Sequence, residues 1–403
     1  MFNSLSLKVI IFGFIFTFFS SFGQSFFLGL FNSSIRETLS ITHGQFGSIY
    51  ASATLLSSFL LIWVGKKIDD INIFKFAFYV TLLLSFSCFF FSKISSIVFL
   101  FIAIFLMRFS GQGMMSHTAS TTISRYFTKT RGRALSISWF GLSSAEFIMP
   151  VLMVYLLTII DWQNLWVIFS LTVLIVLPIA SFFLIKNLNL DSREASDEDK
   201  KDVEIKQWKR REVIKDYRFY IISSNMLAMP WIFTGFAVFQ SFVQSSKGWG
   251  PYVIAQSFMS YSVLSVLTLF LSGYLIDKFT SRKLLIYMNI PLLLSVIVLF
   301  FFDTPFTAFI FLGLVGISNG FANILGSSTW AELYGVKYLG SIKALTTALM
   351  VFATAFGTAL FGFLIDIGFT VEGIAVVSGT YICLLYTSPS PRDRTRSRMP
   401  SSA

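Results

Sequence analysis

Stretches of twenty or more apolar residues recur along almost the whole chain, and this recurrence constrains the fold more than any other feature. The first is "KVIIFGFIFTFFSSFGQSFFLGLF", Lys8–Phe31. About 20 apolar residues in a helix cross the hydrocarbon core of a bilayer. Inside lipid, only helices and closed barrels satisfy every backbone amide. Read with that ruler, the sequence predicts spans near 8–31, 44–64, 73–92, 95–124, 134–160, 163–186, 219–244, 251–276, 283–302, 305–333 and 338–365, with a twelfth starting near Glu372. Only 13% of residues are charged and mean hydropathy is +0.74, whereas a soluble domain is roughly a quarter charged. The first segment is too long for a signal-peptide core and further spans follow it, so it is read as a retained helix. The two cysteines, Cys88 and Cys383, imply no disulfide framework. P-loops, Gly-rich nucleotide fingerprints and metal-ligand spacings are absent from the sequence. No cofactor, metal, enzymatic activity or nucleic-acid partner is therefore expected.

The chain divides in the middle. Residues 191–218 hold nine acidic and nine basic residues, a composition that belongs in water. This predicts an N-terminal six-helix bundle over 1–186, a charged linker over 187–218 and a C-terminal six-helix bundle over 219–382. Residues 383–403 differ abruptly in composition. Cys383–Asp393 match one reading frame of a transposase adapter used in sequencing libraries, so this tail is expected to be non-native and the last helix truncated. Alternate short loops contain Lys66, Lys67, Lys75, Arg125, Lys129, Arg131, Arg133, Lys278, Arg282, Lys283, Lys337 and Lys343, and Lys8 lies on the same side. The opposite side has Arg36, Lys93 and Lys247. The positive-inside rule then places the N-terminus and the linker in the cytoplasm, in a cell (inner or plasma) membrane. An internal repeat supports the two halves. "GKKID" at Gly65–Asp69 recurs as "GYLID" at Gly273–Asp277, 208 residues on, and the same offset relates Tyr126 to Tyr334 and Gly132 to Gly340. A third copy, "GFLID", ends span eleven at Gly362–Asp366. Internal repeats with a substrate site between them are a common transporter plan.

With these residues in view, the chain over roughly 8–382 resembles the major facilitator superfamily. The family's loop pattern is a glycine, three residues, an aspartate and then basic residues. "GYLIDKFTSRK" fits it at Gly273, Asp277, Lys278, Arg282 and Lys283. "GKKIDDINIFK" fits in part at Gly65, Asp69 and Lys75, but Asp70 stands where a basic residue is usual. The resemblance implies twelve helices in two pseudo-symmetric bundles, with these loops forming a cytoplasmic gate through charge pairs and a helix terminus. "RFSGQGMMSHTASTTISRYFTKTRGRALSIS" (Arg108–Ser138) is loosely similar to span four of the monocarboxylate and oxalate–formate porters. The Gly-Pro pattern of drug antiporters in span five is replaced by "GLSSAEFIMP".

Ten acids lie outside the linker and tail, and Glu146 alone is deep in a span; Arg108 is the corresponding basic residue. A charge at the bilayer centre costs several kcal/mol, so such groups face a cavity or one another. At about 1.5 Å per residue, Arg108 and Glu146 lie roughly 20 and 21 Å from the outer ends of adjacent antiparallel spans, close enough in level to predict a pair or a shared network. Glu146 is the candidate proton carrier and Arg108 its counter-charge or an anion-binding group; the alternative is a fixed structural ion pair. Gln112, one turn after Arg108, shares its face. Gln24, Asn225, Gln240, Gln256, Asn319 and Asn323 are candidates to line a central cavity, or to bond helix to helix. His117 is read as a packed or interfacial histidine, Gly111, Gly113, Gly316 and Gly320 as points of close packing, and "MPW" (Met229–Trp231) as a kink in span seven. The sequence thus predicts a monomeric, proton-coupled transporter of a small solute such as a monocarboxylate. The alternatives are a proton-driven multidrug-type exporter and a non-transporting sensor or scaffold on the same fold.

Overall fold

The computed structural model describes residues 4–68, 70–127, 130–186, 207–335 and 338–387. Asp69 of the first gate loop, most of the linker and residues 388–403 of the divergent tail lie outside these, as do the surroundings of Gly273 and the side chain of Asp277. Within the described residues the chain is a twelve-helix membrane bundle without strands. Ten helices are long and apolar enough to cross a membrane. The other two, span nine (Ile290–Phe301) and span twelve (Val371–Thr387), have 12 and 17 residues. Cys383–Thr387, the start of the divergent tail, continue span twelve as helix.

Polar residues stop the helices where the apolar runs end. Thr42 and Gln45 form a reciprocal capping box at the start of span two (His43–Val64). Asn72 caps span three (Ile73–Phe91) and Ser96 caps span four, which runs on to Tyr126. Pro305 opens span ten (Pro305–Tyr334), where its missing N–H costs nothing.

Lipid tails are as apolar as leucine, so helices in a bilayer hold together by close packing and by bonds between polar side chains. Ser85 and Ser170 exchange reciprocal hydroxyl-to-carbonyl bonds of 3.0 and 2.8 Å, joining span three to span six (Trp162–Ile185). Phe22, Phe27, Phe91 and Phe169 pack around the fully buried Trp166. Phe183, Phe270, Phe301 and Phe306 stay exposed on the flanks, the surface that lipid covers.

The sequence correctly predicts the number of spans, but three are interrupted. Span one, expected to be continuous, is helical over Ser4–Ser20 and tightens to a 3₁₀ turn over Ser21–Gly23. It then breaks at the extended Gln24 (φ −82°, ψ 151°) before helix resumes at Ser25. Span seven runs through Pro230 as one helix, Tyr217–Val238, and breaks at Phe239. Span nine begins only at Ile290, after a separate turn of helix, Ser281–Leu284.

The second of these breaks obeys the sequence repeat. Phe239 lies 208 residues after Phe31, which ends the last 3₁₀ turn of span one with similar backbone angles (φ −98°, ψ −1° against φ −102°, ψ 27°). The next residues, Asn32 and Gln240, are also 208 apart, and they bond across the halves. Asn32 Nδ2 donates to Val238 C=O (2.9 Å) and Gln240 Nε2 donates to Phe26 C=O (2.8 Å).

Span two packs on span eleven (Leu339–Asp366), and span eight (Val253–Phe279) packs on span five (Arg131–Leu156), the pairing that a two-fold relation between the halves requires. At the face opposite the linker, the Asp366 carboxylate accepts from His43 N–H (3.1 Å) and Gly44 N–H (2.9 Å) at the start of span two. A Cβ on Gly362 would meet the His43 backbone, and one on Gly47 the Thr358 backbone, so only glycine permits this approach. At mid-depth Ser262 Oγ donates to Ser143 C=O (2.7 Å). The halves are clasped at the face opposite the linker.

Candidate substrate and coupling site

Among the described residues four charged side chains are buried: Arg108, Glu146, Asp216 and Lys247. Asp216 and Lys247 sit at helix ends. Arg108 and Glu146 are the two inside spans, as the sequence predicts.

The backbone around Arg108 is not α-helical. Residues Arg108–Met115, "RFSGQGMM", form a π-helical segment inside span four. Such insertions are rare and concentrate at functional sites. Two local features favour it. Ser110 Oγ bonds back to Leu106 C=O (2.7 Å), competing with the helix ladder. Gly111 allows an unusually close neighbour, because a Cβ there would lie 2.6 Å from Gly23 N. The irregular part of span four therefore lies directly against the break in span one.

Arg108 joins the two. At the break, Phe27 N–H turns to Gln24 C=O, and Gly23 C=O accepts instead from Arg108 Nη1 (3.1 Å). The same nitrogen donates to Ser25 Oγ (3.2 Å), which also accepts from Tyr50 OH (3.0 Å). The guanidinium lies 5.4 Å from the Tyr50 ring centroid, within cation–π range. A cation at the C-terminal end of a helical segment is favoured by the macrodipole, and an interrupted span needs a donor for its freed carbonyl. Arg108 supplies both. Its Nε is buried without a hydrogen-bond partner.

The expected direct pair with Glu146 is not formed. Among the described residues no ion pair includes either side chain. Matching depth brings two groups to one level, but the break in span one draws Arg108 toward that helix. Glu146 is buried one turn after Ser143, whose carbonyl accepts from Ser262 where span five meets span eight. Tyr261 is buried and stacks on Phe233 with ring centroids 4.9 Å apart.

The remaining candidates separate. Gln112 and Gln24 flank the junction: a Cβ on Gly23 would meet Gln112 N, and Gln24 is the extended residue itself. Asn319 bonds helix to helix through its side chain, whereas Asn225 takes part only through its backbone carbonyl, its own Oδ1 being buried without a hydrogen-bond partner. Asn289 Nδ2 donates to Asn225 C=O (2.8 Å) and Asn319 Nδ2 donates to Ser265 Oγ (2.8 Å). Asn323 is exposed. His117 is a packed histidine, its Nε2 2.9 Å from Gly65 C=O of the first gate loop. In the second gate loop Lys278, Arg282 and Lys283 are exposed, and Arg282 donates to Glu332 C=O (2.6 Å). Gly111, Gly316 and Gly320 each face another helix's backbone; Gly113 faces the Leu61 side chain. Sequence reading missed Ser25 and Tyr50. Their hydroxyls carry no period or charge, and only the fold brings them to Arg108.

A profile of the Major Facilitator Superfamily matches residues 13–357 and 220–401. The chain belongs to this superfamily. A bacterial homologue of the human lysosomal transporter Spinster, solved inward-facing and unoccupied, shares the fold with a TM-score of 0.72 at 14% identity, over 96% of this chain and 94% of that one. The nucleoside transporter NupG aligns with a TM-score of 0.70 at 14% identity, over 95% of this chain and 97% of its own. The same Spinster homologue in its occupied state gives 0.67 at 13% identity, over 94% and 92%. No curated protein sequence matches the chain. For this superfamily member the fold is a multi-pass transporter fold, with one buried cation at a helix break and one buried carboxyl on a span that contacts the other half.

Proposed function

We propose that this protein is a proton-coupled secondary transporter of a small organic anion such as a monocarboxylate, working by alternating access. The observation that carries the reading is Arg108, a buried cation whose bonding partners are a carbonyl, a hydroxyl and an aromatic face, none of them negative. A guanidinium stays charged, and a carboxylate would neutralise it with strong paired bonds. The similarity of Arg108–Ser138 to the monocarboxylate and oxalate–formate porters agrees with this. Glu146, with no counter-cation among the described residues and on the span that contacts the other half, is the group assigned to the proton. Gln24 and Gln112 line the junction that the substrate enters. With the basic loops and the linker in the cytoplasm, the clasped face is the outer one and the structure is an inward-facing state. The two halves over 1–186 and 219–382 are the moving units of a monomer, with the gate loops closing the cytoplasmic side in the opposite state.

Counterflow of labelled small carboxylates in proteoliposomes tests this. The wild type exchanges them and accumulates them under an inward proton gradient; Arg108→Gln exchanges none. Glu146→Gln keeps exchange and loses accumulation, with no dependence on pH. Wild-type counterflow restricted to large organic cations would establish a multidrug-type exporter instead. Binding without counterflow would establish a sensor.

A further inference from the structure

Two charged segments meet at one end of span ten. From the linker, Trp208 N–H donates to Tyr334 C=O (3.0 Å), and its indole meets the Tyr334 ring with centroids 5.4 Å apart. Tyr334 OH donates to Asp216 Oδ2 (3.2 Å), and Asp216 pairs with Arg218 (3.1 Å). Val213, on the short helix Arg210–Lys215, is fully buried with Trp330, Tyr334 and Ile342. From the loop before span nine, Arg282 donates to Glu332 C=O and Ser281 N–H donates to Glu332 Oε1 (2.9 Å). Both segments are pinned against the bundle.

What they present outward has one sign. Lys209, Arg210, Arg211 and Lys215 are exposed, as are Arg282 and Lys283. Among the described residues, none of the four linker cations pairs with a carboxylate. Glu212, the acid of this helix, is half-buried and accepts from Lys209 N–H (2.7 Å). Beside the cations, Ile214, Tyr217 and Tyr220 are exposed, and Tyr220 OH donates to Ile214 C=O (2.9 Å). Tyr217 is the first residue of span seven, so the cations before it stand at headgroup level, where tyrosines collect at a membrane–water boundary.

We propose that this face binds the headgroups of anionic phospholipids in the adjoining leaflet, with Lys209, Arg210, Arg211 and Lys215 as the contact set. Charge complementarity selects the partner, and the exposed apolar and aromatic side chains beside the cations suit the headgroup–acyl boundary. Because Val213 and Trp208 already fix the segment, little chain entropy is lost on binding. A basic residue near an anionic surface is worth about fivefold in partitioning.

The test measures which lipids the full chain retains when it is purified from mixed micelles of phosphatidylcholine and phosphatidylglycerol. The wild type enriches phosphatidylglycerol. Lys209→Gln, Arg210→Gln, Arg211→Gln and Lys215→Gln each lower that enrichment by about fivefold, whereas the charge-keeping Arg210→Lys and Arg211→Lys retain it. High salt applied to the wild type abolishes it, an arm that needs no variant to fold. A salt-independent preference, or a quadruple variant with the wild-type preference and an unchanged melting temperature, overturns the proposal. So does a wild type without preference that acquires one once Asp197, Glu198 and Asp199 are neutralised, because the chain's own acidic run would then occupy the face.

Discussion

Arg108 and its neighbours set the behaviour of single residues. Arg108 was legible in the sequence as the lone cation inside a span, but its partners were not. Gly23 C=O becomes an acceptor only because span one breaks at Gln24, and the break has no charge or periodicity to announce it. Arg108→Lys keeps the charge but replaces a planar fork with a compact ammonium. It is expected to fold and to bind an anion at least tenfold more weakly than the wild type, measured by substrate-induced thermal shift. Gly111→Val inserts side-chain atoms against the Gly23 backbone. Overpacking of this kind costs about 1–3 kcal/mol, so a lower melting temperature is expected; an unchanged one would mean that spans one and four separate freely. Ser25→Ala removes a hydroxyl that serves both Arg108 and Tyr50, and its effect on binding should be smaller than that of Arg108→Gln.

Between elements, two of the polar contacts at the face opposite the linker differ in kind. Asp366 reaches across the halves to the start of span two and is exposed. An anion at a helix N-terminus contributes about 0.3–1 kcal/mol. Asp366→Asn is therefore expected to shift the conformational balance away from the clasped state by about two- to fivefold, read as increased labelling of cysteines placed at that face. Lys247 stays within the C-terminal half. Its side chain is 1% exposed and lies 2.6 Å from both Asp303 and Glu372. Burial alone would depress its pKa, but the bonds to the two carboxylates outweigh burial and hold it above lysine's ordinary value. A folded pKa raised above the unfolded one gives stability that is complete below about 10.4 and is lost as pH rises further. The melting-temperature gap between wild type and Lys247→Met should be constant from neutral pH to about 10 and close above it. The carboxylates are partly solvated, so that gap corresponds to about 1–3 kcal/mol.

At the scale of the whole molecule, the repeat found in loop glycines and aspartates extends to one backbone break and one pair of polar contacts. The 208-residue offset relates Phe31 to Phe239 and Asn32 to Gln240, and the paired side chains cross between the halves. The correspondence ends at the charges. Arg108 corresponds to Gly316 and Glu146 to Thr354 by the same offset, and span ten is α-helical through Gly316 where span four is a π-helix. Rocking of two bodies predicts that a cross-link between them arrests transport. With Cys88 and Cys383 replaced, Ser143→Cys paired with Ser262→Cys should lose counterflow on oxidation and regain it on reduction. Transport that survives complete cross-linking would rule out relative motion at that contact.

The sequence by itself determined the membrane class, the twelve spans, the repeat and the identity of the two deep charges. These follow from the length of apolar runs and from the cost of a charge in lipid, both local properties of the chain. Only the tertiary structure decided what those charges touch. Span one yields at Gln24, where Gly23 packs against the π-helical segment of span four, and the carbonyl freed there takes Arg108 away from Glu146. Which carbonyl is freed depends on how two helices meet, and that is fixed by packing between residues distant in the chain.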